Sequence, residues 1–135
     1  MLMRFSISNF MSFGYKKDVD GNIIPEEFHL YAGRSEQYKE RVLNHEGRKV
    51  LKFSSIYGAN ASGKSNLIKA IECGKNILTG TFEKVNYKEQ YCRNRKENKE
   101  LPTHFEYEFT IKDNAYAYGF TVNLAEEIVL SEWLY

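Results

Sequence analysis

The run Gly58-Ala59-Asn60-Ala61-Ser62-Gly63-Lys64-Ser65 has the residue types and spacing that hold a triphosphate. Gly58 and Gly63 permit backbone angles, and a closeness of approach, that a Cβ forbids. Successive N–H groups of such a loop turn inward and form a concavity for phosphate oxygens. A helix starting near Lys64 adds free N–H groups and the positive end of its dipole. Lys64 is then placed to reach the β- and γ-phosphates, and the Ser65 hydroxyl to hold magnesium. Asn66 is placed to donate toward the α-phosphate. With glycine at about 7% of residues, a chance match to every fixed position is on the order of one in a few hundred for a chain this long. A glycine-rich turn that binds nothing is therefore the lesser reading, and ATP with magnesium is the expected ligand.

Such a loop needs a strand to deliver it and a helix to receive it. Lys49 to Tyr57 carries Val50, Leu51, Phe53 and Ile56 and reads as a buried strand running straight into Gly58. After Ser65 the period changes. Leu67, Ala70, Ile71, Gly74, Ile77 and Leu78 fall on one helical face, with Asn66, Lys69, Glu72 and Asn76 opposite. Gly80 stands where a helix stop is expected.

The remaining elements read as follows. Leu2, Phe5 and Ile7 alternate with Arg4, Ser6 and Ser8 in a half-buried strand, extended by Asn9-Phe10 and ended by Gly14. Asp20-Gly21-Asn22 is a turn and Pro25 a breaker, with short strands expected at Ile23-Ile24 and Phe28-His29-Leu30-Tyr31. Gly33 to Arg48 reads as a charged, mobile excursion. Thr81 to Pro102 is charged and linker-like, with Lys84, Lys88, Arg93, Arg95, Lys96 and Lys99 set among Glu83, Glu89, Glu97 and Glu100. Tyr87 and Tyr91 accompany them, a mixture that can contact nucleic acid. The acidic residues cancel much of that field, which favours a solvated face. Three antiparallel strands close the chain: Phe105 to Ile111, Tyr116 to Val122 after a turn at Lys112-Asp113-Asn114-Ala115, and Ile128 to Tyr135.

Composition bounds the class. The 135 residues make one domain or part of a larger one, and 42% hydrophobic residues with ten Tyr and nine Phe suffice for a core. A formal charge of +1 gives no global pull toward nucleic acid or anionic membrane. Cys73 and Cys92 lie far apart, and His29, His45 and His104 are scattered, so no zinc site is indicated. Two unpatterned cysteines fit a reducing cytoplasm. Met1 to Phe13 is broken by Arg4, Ser6, Ser8 and Asn9, which excludes a signal peptide or a bilayer span there.

The residues around the loop narrow the class further. Tyr57 to Leu67 resembles the Walker A segment of the SMC, RecF and RecN branch of ABC-type ATPases, commonly G-x-N-[GA]-[SA]-G-K-S-N. Phe5 to Phe13 looks like that branch's first strand, which often ends in N-F-x-S. The tail, with Phe105 to Phe109, Tyr116 to Phe120 and Ser131 to Leu134, is similar to bacterial SMC-like ATPases of the abortive-infection and phage-defence kind.

The resemblance implies an α/β P-loop NTPase, the N-terminal half of an ABC-like head with a mixed sheet around the Walker A helix and an antiparallel meander. Residues 1–15 would be its first strand, 49–80 its strand, phosphate loop and helix, and 103–135 its antiparallel strands. By position, Gly58, Ala59, Asn60, Ala61, Ser62, Gly63, Lys64 and Ser65 hold the phosphates, Lys64 serving catalysis and Ser65 the magnesium. Asn66 lies beside the α-phosphate, and Ser12 or Phe13 near the adenosine. Gln90 is the one glutamine downstream of the helix for the family's Q-loop. The family pairs two heads around ATP, implying a homodimer of complete heads, a DNA or defence effector as target, and no membrane.

Family motifs are also missing. There is no L-S-G-G, and no apolar run ending in Asp-Glu. Leu124-Ala125-Glu126-Glu127 has paired carboxylates, but what precedes it suits the end of a hairpin strand. The expectation is therefore an N-terminal part of a longer head that binds ATP, hydrolysis needing a base found elsewhere. A nucleotide-sensing module that does not hydrolyse is the alternative. A small P-loop kinase or GTPase is disfavoured, since no N-K-x-D appears.

Overall fold

The computed structural model describes residues 1–33, 38–45, 47–81, 86–112 and 114–135. The strands are β1 (Leu2–Ser8), β2 (Glu26–His29), β3 (Val42–His45), β4 (Arg48–Leu51), β5 (Thr103–Ile111), β6 (Asn114–Asn123) and β7 (Ile128–Leu134), with one α-helix, α1 (Lys64–Leu78). Five of the strands form a sheet in the order β2-β1-β5-β6-β7. Every pairing in it is antiparallel. The chain is thus α/β, but the expected mixed sheet is replaced by an antiparallel one.

Period-two alternation places the large apolar residues of β1, β5 and β6 on one face, and α1 packs there. Phe5, Ile7, Phe105, Phe120 and Val122 join Ala70 and Cys73 of the helix in the core. Phe105 and Phe120 stack at 5.1 Å between ring centres, and Phe10 meets Phe105 edge-on at 6.0 Å. The helix comes unusually close at Gly74, where an added Cβ would lie 2.0 Å from the Tyr107 hydroxyl and 3.1 Å from the Phe105 ring. Gly80, at φ 67°, ends the helix as expected. Its N–H reaches Ile77 O at 3.2 Å while Thr81 N reaches Asn76 O at 2.9 Å, a Schellman closure.

The other face of the sheet carries Arg4, which pairs with Glu27, Glu106 and Glu108. Trp133 Nε1 donates to Glu106 at 3.0 Å and Tyr31 donates to Glu108 at 2.6 Å. Burial draws the Arg4 pKa down, but these three carboxylates outweigh it and hold the guanidinium above its ordinary value. Its neighbours Ser6 and Ser8 are also buried, so β1 is covered on both faces rather than half-buried.

Several local expectations are corrected. The first strand stops at Ser8, because Asn9 and Met11 adopt φ of 56° and 48°. Of the two short strands expected early, only Glu26–His29 forms; Ile23 makes an isolated bridge to Lys17. The Asp18 carboxylate caps the turn there, accepting from the N–H groups of Asp20 and Asn22. The supposed excursion from Gly33 to Arg48 contains a 3-10 turn at Lys39–Arg41 and the first strand of a hairpin. Its residues 34–37 and 46 lie outside the described residues, as do Glu83, Lys84 and Asp113 of the other charged stretch and turn.

The largest correction concerns the strand before the loop. Pairing ends at Leu51, and residues 52–60 are exposed. Phe53, Ile56 and Tyr57 are 58%, 44% and 90% exposed, so their apolar pattern buries nothing here. The closing meander of β5, β6 and β7 is as expected. Leu124 to Glu127 is the turn between its last two strands, with Glu127 at φ 59°.

Candidate functional site

The 15-residue helix α1 begins at Lys64, and Gly63 caps it at φ 91°. This is left-handed backbone that a side chain would strain. A Cβ on Gly63 would also lie 2.8 Å from Ser12 Oγ, and one on Gly58 2.8 Å from Ser62 Oγ. Gly63 is thus required by its conformation, and a side chain on Gly58 would force the Ser62 hydroxyl to move. The loop closes through a bond from Ser62 N to Ala59 O at 3.2 Å. Asn66 N and Leu67 N donate to Gly63 O at 2.9 and 3.3 Å, so the amides a ligand could use are those ahead of them at the start of α1.

Lys64 folds back over the loop. Its ammonium donates to Gly58 O and Ala59 O, each at 2.7 Å, and to Ser62 Oγ at 3.4 Å. The cation is therefore held at the loop's own centre, by oxygens that anionic ligand oxygens can replace. Ser65 is exposed on the first turn and Asn66 is half-buried beside it. Gly58 through Asn66 run from the exposed approach into the first turn of α1. A cradle shaped by two glycines, a lysine over its centre, a long helix behind it and an exposed hydroxyl at its rim fit a magnesium–triphosphate.

The turn after β1 reaches the same place. Asn66 Nδ2 donates to Ser12 Oγ at 3.0 Å, and Ser12 lies against Gly63. Two hollows flank Ser12. One, of about 370 Å³, joins the apolar side chains of Phe13, Phe28, Ile56 and Leu67 to the carboxylates Glu26 and Glu27. The second, of about 650 Å³, is lined by Met11, Ser12, Asn66, Gln90, Tyr91 and Arg93 among others. Gln90 is fixed there through its backbone, whose carbonyl accepts from Met11 N at 2.7 Å.

Arg93, in the stretch read as solvated, is exposed and Tyr91 half-buried, and both line the larger hollow. Asn9, read as a strand extension, is wholly buried and bonded to the segment carrying Gln90. Its signal was a lone amide in an apolar run, followed three residues on by Ser12. The carboxylates Glu126 and Glu127 stand in the β6–β7 turn, where Glu127 pairs with Lys88 at 3.2 Å. Among the described residues no group of three or more His, Cys, Asp or Glu is placed to hold a metal. No helix there is long and apolar enough to cross a membrane.

A family model described as "AAA domain, putative AbiEii toxin, Type IV TA system" matches residues 53–135. The match runs from the exposed approach to the loop through the end of β7, and so takes in the whole glycine cradle. No curated protein matches the chain.

Proposed function

The chain belongs to this AAA-domain family of P-loop ATPase-like, nucleotide-binding proteins, and from that premise we propose that it binds magnesium-ATP at the Gly58–Ser65 cradle as part of an SMC/RecF-like ATPase head. The observation that carries this reading is Lys64 seated on the loop carbonyls at the mouth of a 15-residue helix. There it supplies a cation where phosphate charge would collect. In this reading Gly58 to Ser65 hold the phosphates, the Ser65 hydroxyl holds the magnesium and Asn66 stands by the α-phosphate. Magnesium supplies charge neutralisation when bound. Within the smaller hollow, Phe13 and Phe28 offer the purine a stacking surface, since bases stack on aromatic side chains.

Turnover needs more than the cradle. Hydrolysis requires a base that orients water, and the Glu126–Glu127 pair is spent on a turn. In this reading the base acts in the complete head, once two heads associate around the nucleotide. The resemblance to SMC-like proteins of the abortive-infection kind makes DNA processing or phage defence the setting. A sensor that binds ATP without hydrolysing it is the second reading, favoured by the ion pairs that occupy the two carboxylates of the smaller hollow, Glu26 with Lys16 and Glu27 with Arg4.

Thermal melting with and without magnesium-ATP tests the binding step. A ligand that binds only the folded state, at about 100 times its Kd, adds roughly 2.7 kcal/mol. The melt is expected to rise in the wild type and to stay unchanged in Lys64→Ala. A folded wild type whose melt ignores ATP refutes the proposal.

A further inference from the structure

The turn that follows β1 touches two things at once. Ser12 lies against Gly63 and Asn66, Met11 lines the hollow beside them, and Asn9, three residues before Ser12, is wholly buried. Asn9 Oδ1 accepts from Cys92 N at 3.2 Å, and its Nδ2 donates to Asn98 O at 2.8 Å and Leu101 O at 2.9 Å. Asn98, itself buried, returns a bond from Nδ2 to Cys92 O at 2.8 Å. The two amides thus close a ring around the Cys92 peptide, gripping both its N–H and its C=O. Two residues before Cys92, Gln90 O receives Met11 N. The segment that walls the larger hollow is in this way tied to the turn that carries Ser12 against Gly63.

Asparagine is the residue type this place requires. Its φ of 56° is left-handed backbone that asparagine tolerates better than most. The site needs an acceptor for one N–H and donors for two carbonyls, which a carboxamide provides and a carboxylate does not. A buried network that is fully satisfied fixes a single arrangement.

We propose that Asn9 is a positioning residue of the nucleotide site, setting where Gln90, Tyr91 and Arg93 stand relative to Ser12, Asn66 and the mouth of the phosphate loop. It touches no part of the cradle and acts only through the Cys92 peptide and the Met11–Gln90 bond. The inference rests on the proposal that the cradle binds ATP.

Fluorescence titration with N-methylanthraniloyl-ATP and magnesium tests it, alongside amide hydrogen exchange on the nucleotide-free protein. Asn9→Gly keeps the backbone conformation and removes the amide; Asn98→Ala opens the ring from its other side. Both are expected to raise Kd about tenfold, the lower end of what losing an outer partner costs at a ligand site. Thr103→Val removes only the hydroxyl that donates to Asn9 O at 2.8 Å. It should lower the melting temperature yet leave Kd within about twofold, as a residue serving stability alone would. Exchange at the Met11 amide is expected to quicken in Asn9→Gly and not in Thr103→Val. An unchanged Kd in folded Asn9→Gly, or an equal loss in Thr103→Val, overturns the proposal. If the wild type binds no probe, or binds it as well with Lys64→Ala, the function itself is refuted. The Met11 exchange then decides the positioning alone, and unaltered protection in Asn9→Gly overturns it.

Discussion

Ser6 and Ser8 sit two residues apart on the same buried strand, yet removing their hydroxyls should have opposite effects. Ser8 Oγ donates to Gly14 O at 3.1 Å. Ser6 Oγ is the one buried side-chain polar atom without a partner among the described residues. An unsatisfied buried hydroxyl costs about 1–3 kcal/mol, whereas a made bond returns roughly 1 kcal/mol. Ser6→Ala should therefore raise stability by about 1 kcal/mol and Ser8→Ala lower it by a similar amount, read by urea unfolding. His104 gives a pH dependence on the same sheet face. It stacks on Trp133 at 5.3 Å, and burial holds its pKa below the usual value, more than Glu106 raises it. The folded state thus binds its proton less readily than the unfolded chain. Its contribution is complete above the unfolded pKa of about 6.5 and is lost as pH falls through the lower folded value. His104→Gln should flatten the melting curve's fall between pH 7.5 and pH 5, and an unchanged pH profile counts against this assignment.

The union of α1 with β5 depends on the single missing Cβ at Gly74. An alanine there would press on the Tyr107 hydroxyl, which donates to Ile71 O at 3.4 Å, and on the Phe105 ring. Overpacking of this kind costs about 1–3 kcal/mol, while alanine's better helix propensity returns about 1 kcal/mol. Gly74→Ala should lower stability by up to roughly 2 kcal/mol; a stabilised variant would show that the helix can slide. Sequence revealed this helix well, since its apolar stripe, its glycine cradle and its Gly80 stop are all local signals. It revealed the meander for the same reason. It failed where an element's state depends on a remote partner. Val50, Phe53 and Ile56 look like a buried strand, but only Val50 finds cover, bridging to Tyr31. The grip of Asn9 on Cys92 spans 83 positions and leaves no periodic trace.

At the scale of the whole molecule, the sheet has an edge to protect. β7 pairs with β6 on one side and ends the strand order. Ile128, Val129, Leu130 and Leu134 are 51%, 50%, 54% and 62% exposed along it. Edge strands are commonly guarded by lysine, proline or a pronounced bulge. β7 holds neither lysine nor proline, and Glu132 is its only charge. A shift of register near Thr121 and Val122 is its one irregularity. An apolar edge of this kind pairs with a second copy at sufficient concentration. Sedimentation velocity should accordingly show association that rises with protein concentration, and Leu130→Lys should abolish it without lowering the melt. The nucleotide-driven pairing of heads proposed above is a separate event. It would require Lys64 and magnesium-ATP, whereas edge pairing would persist in Lys64→Ala without nucleotide. The two substitutions together therefore tell assembly driven by the cradle from assembly driven by the sheet. A wild type that stays monomeric without ATP at high concentration would mean that the bulge and Glu132 guard the edge well enough.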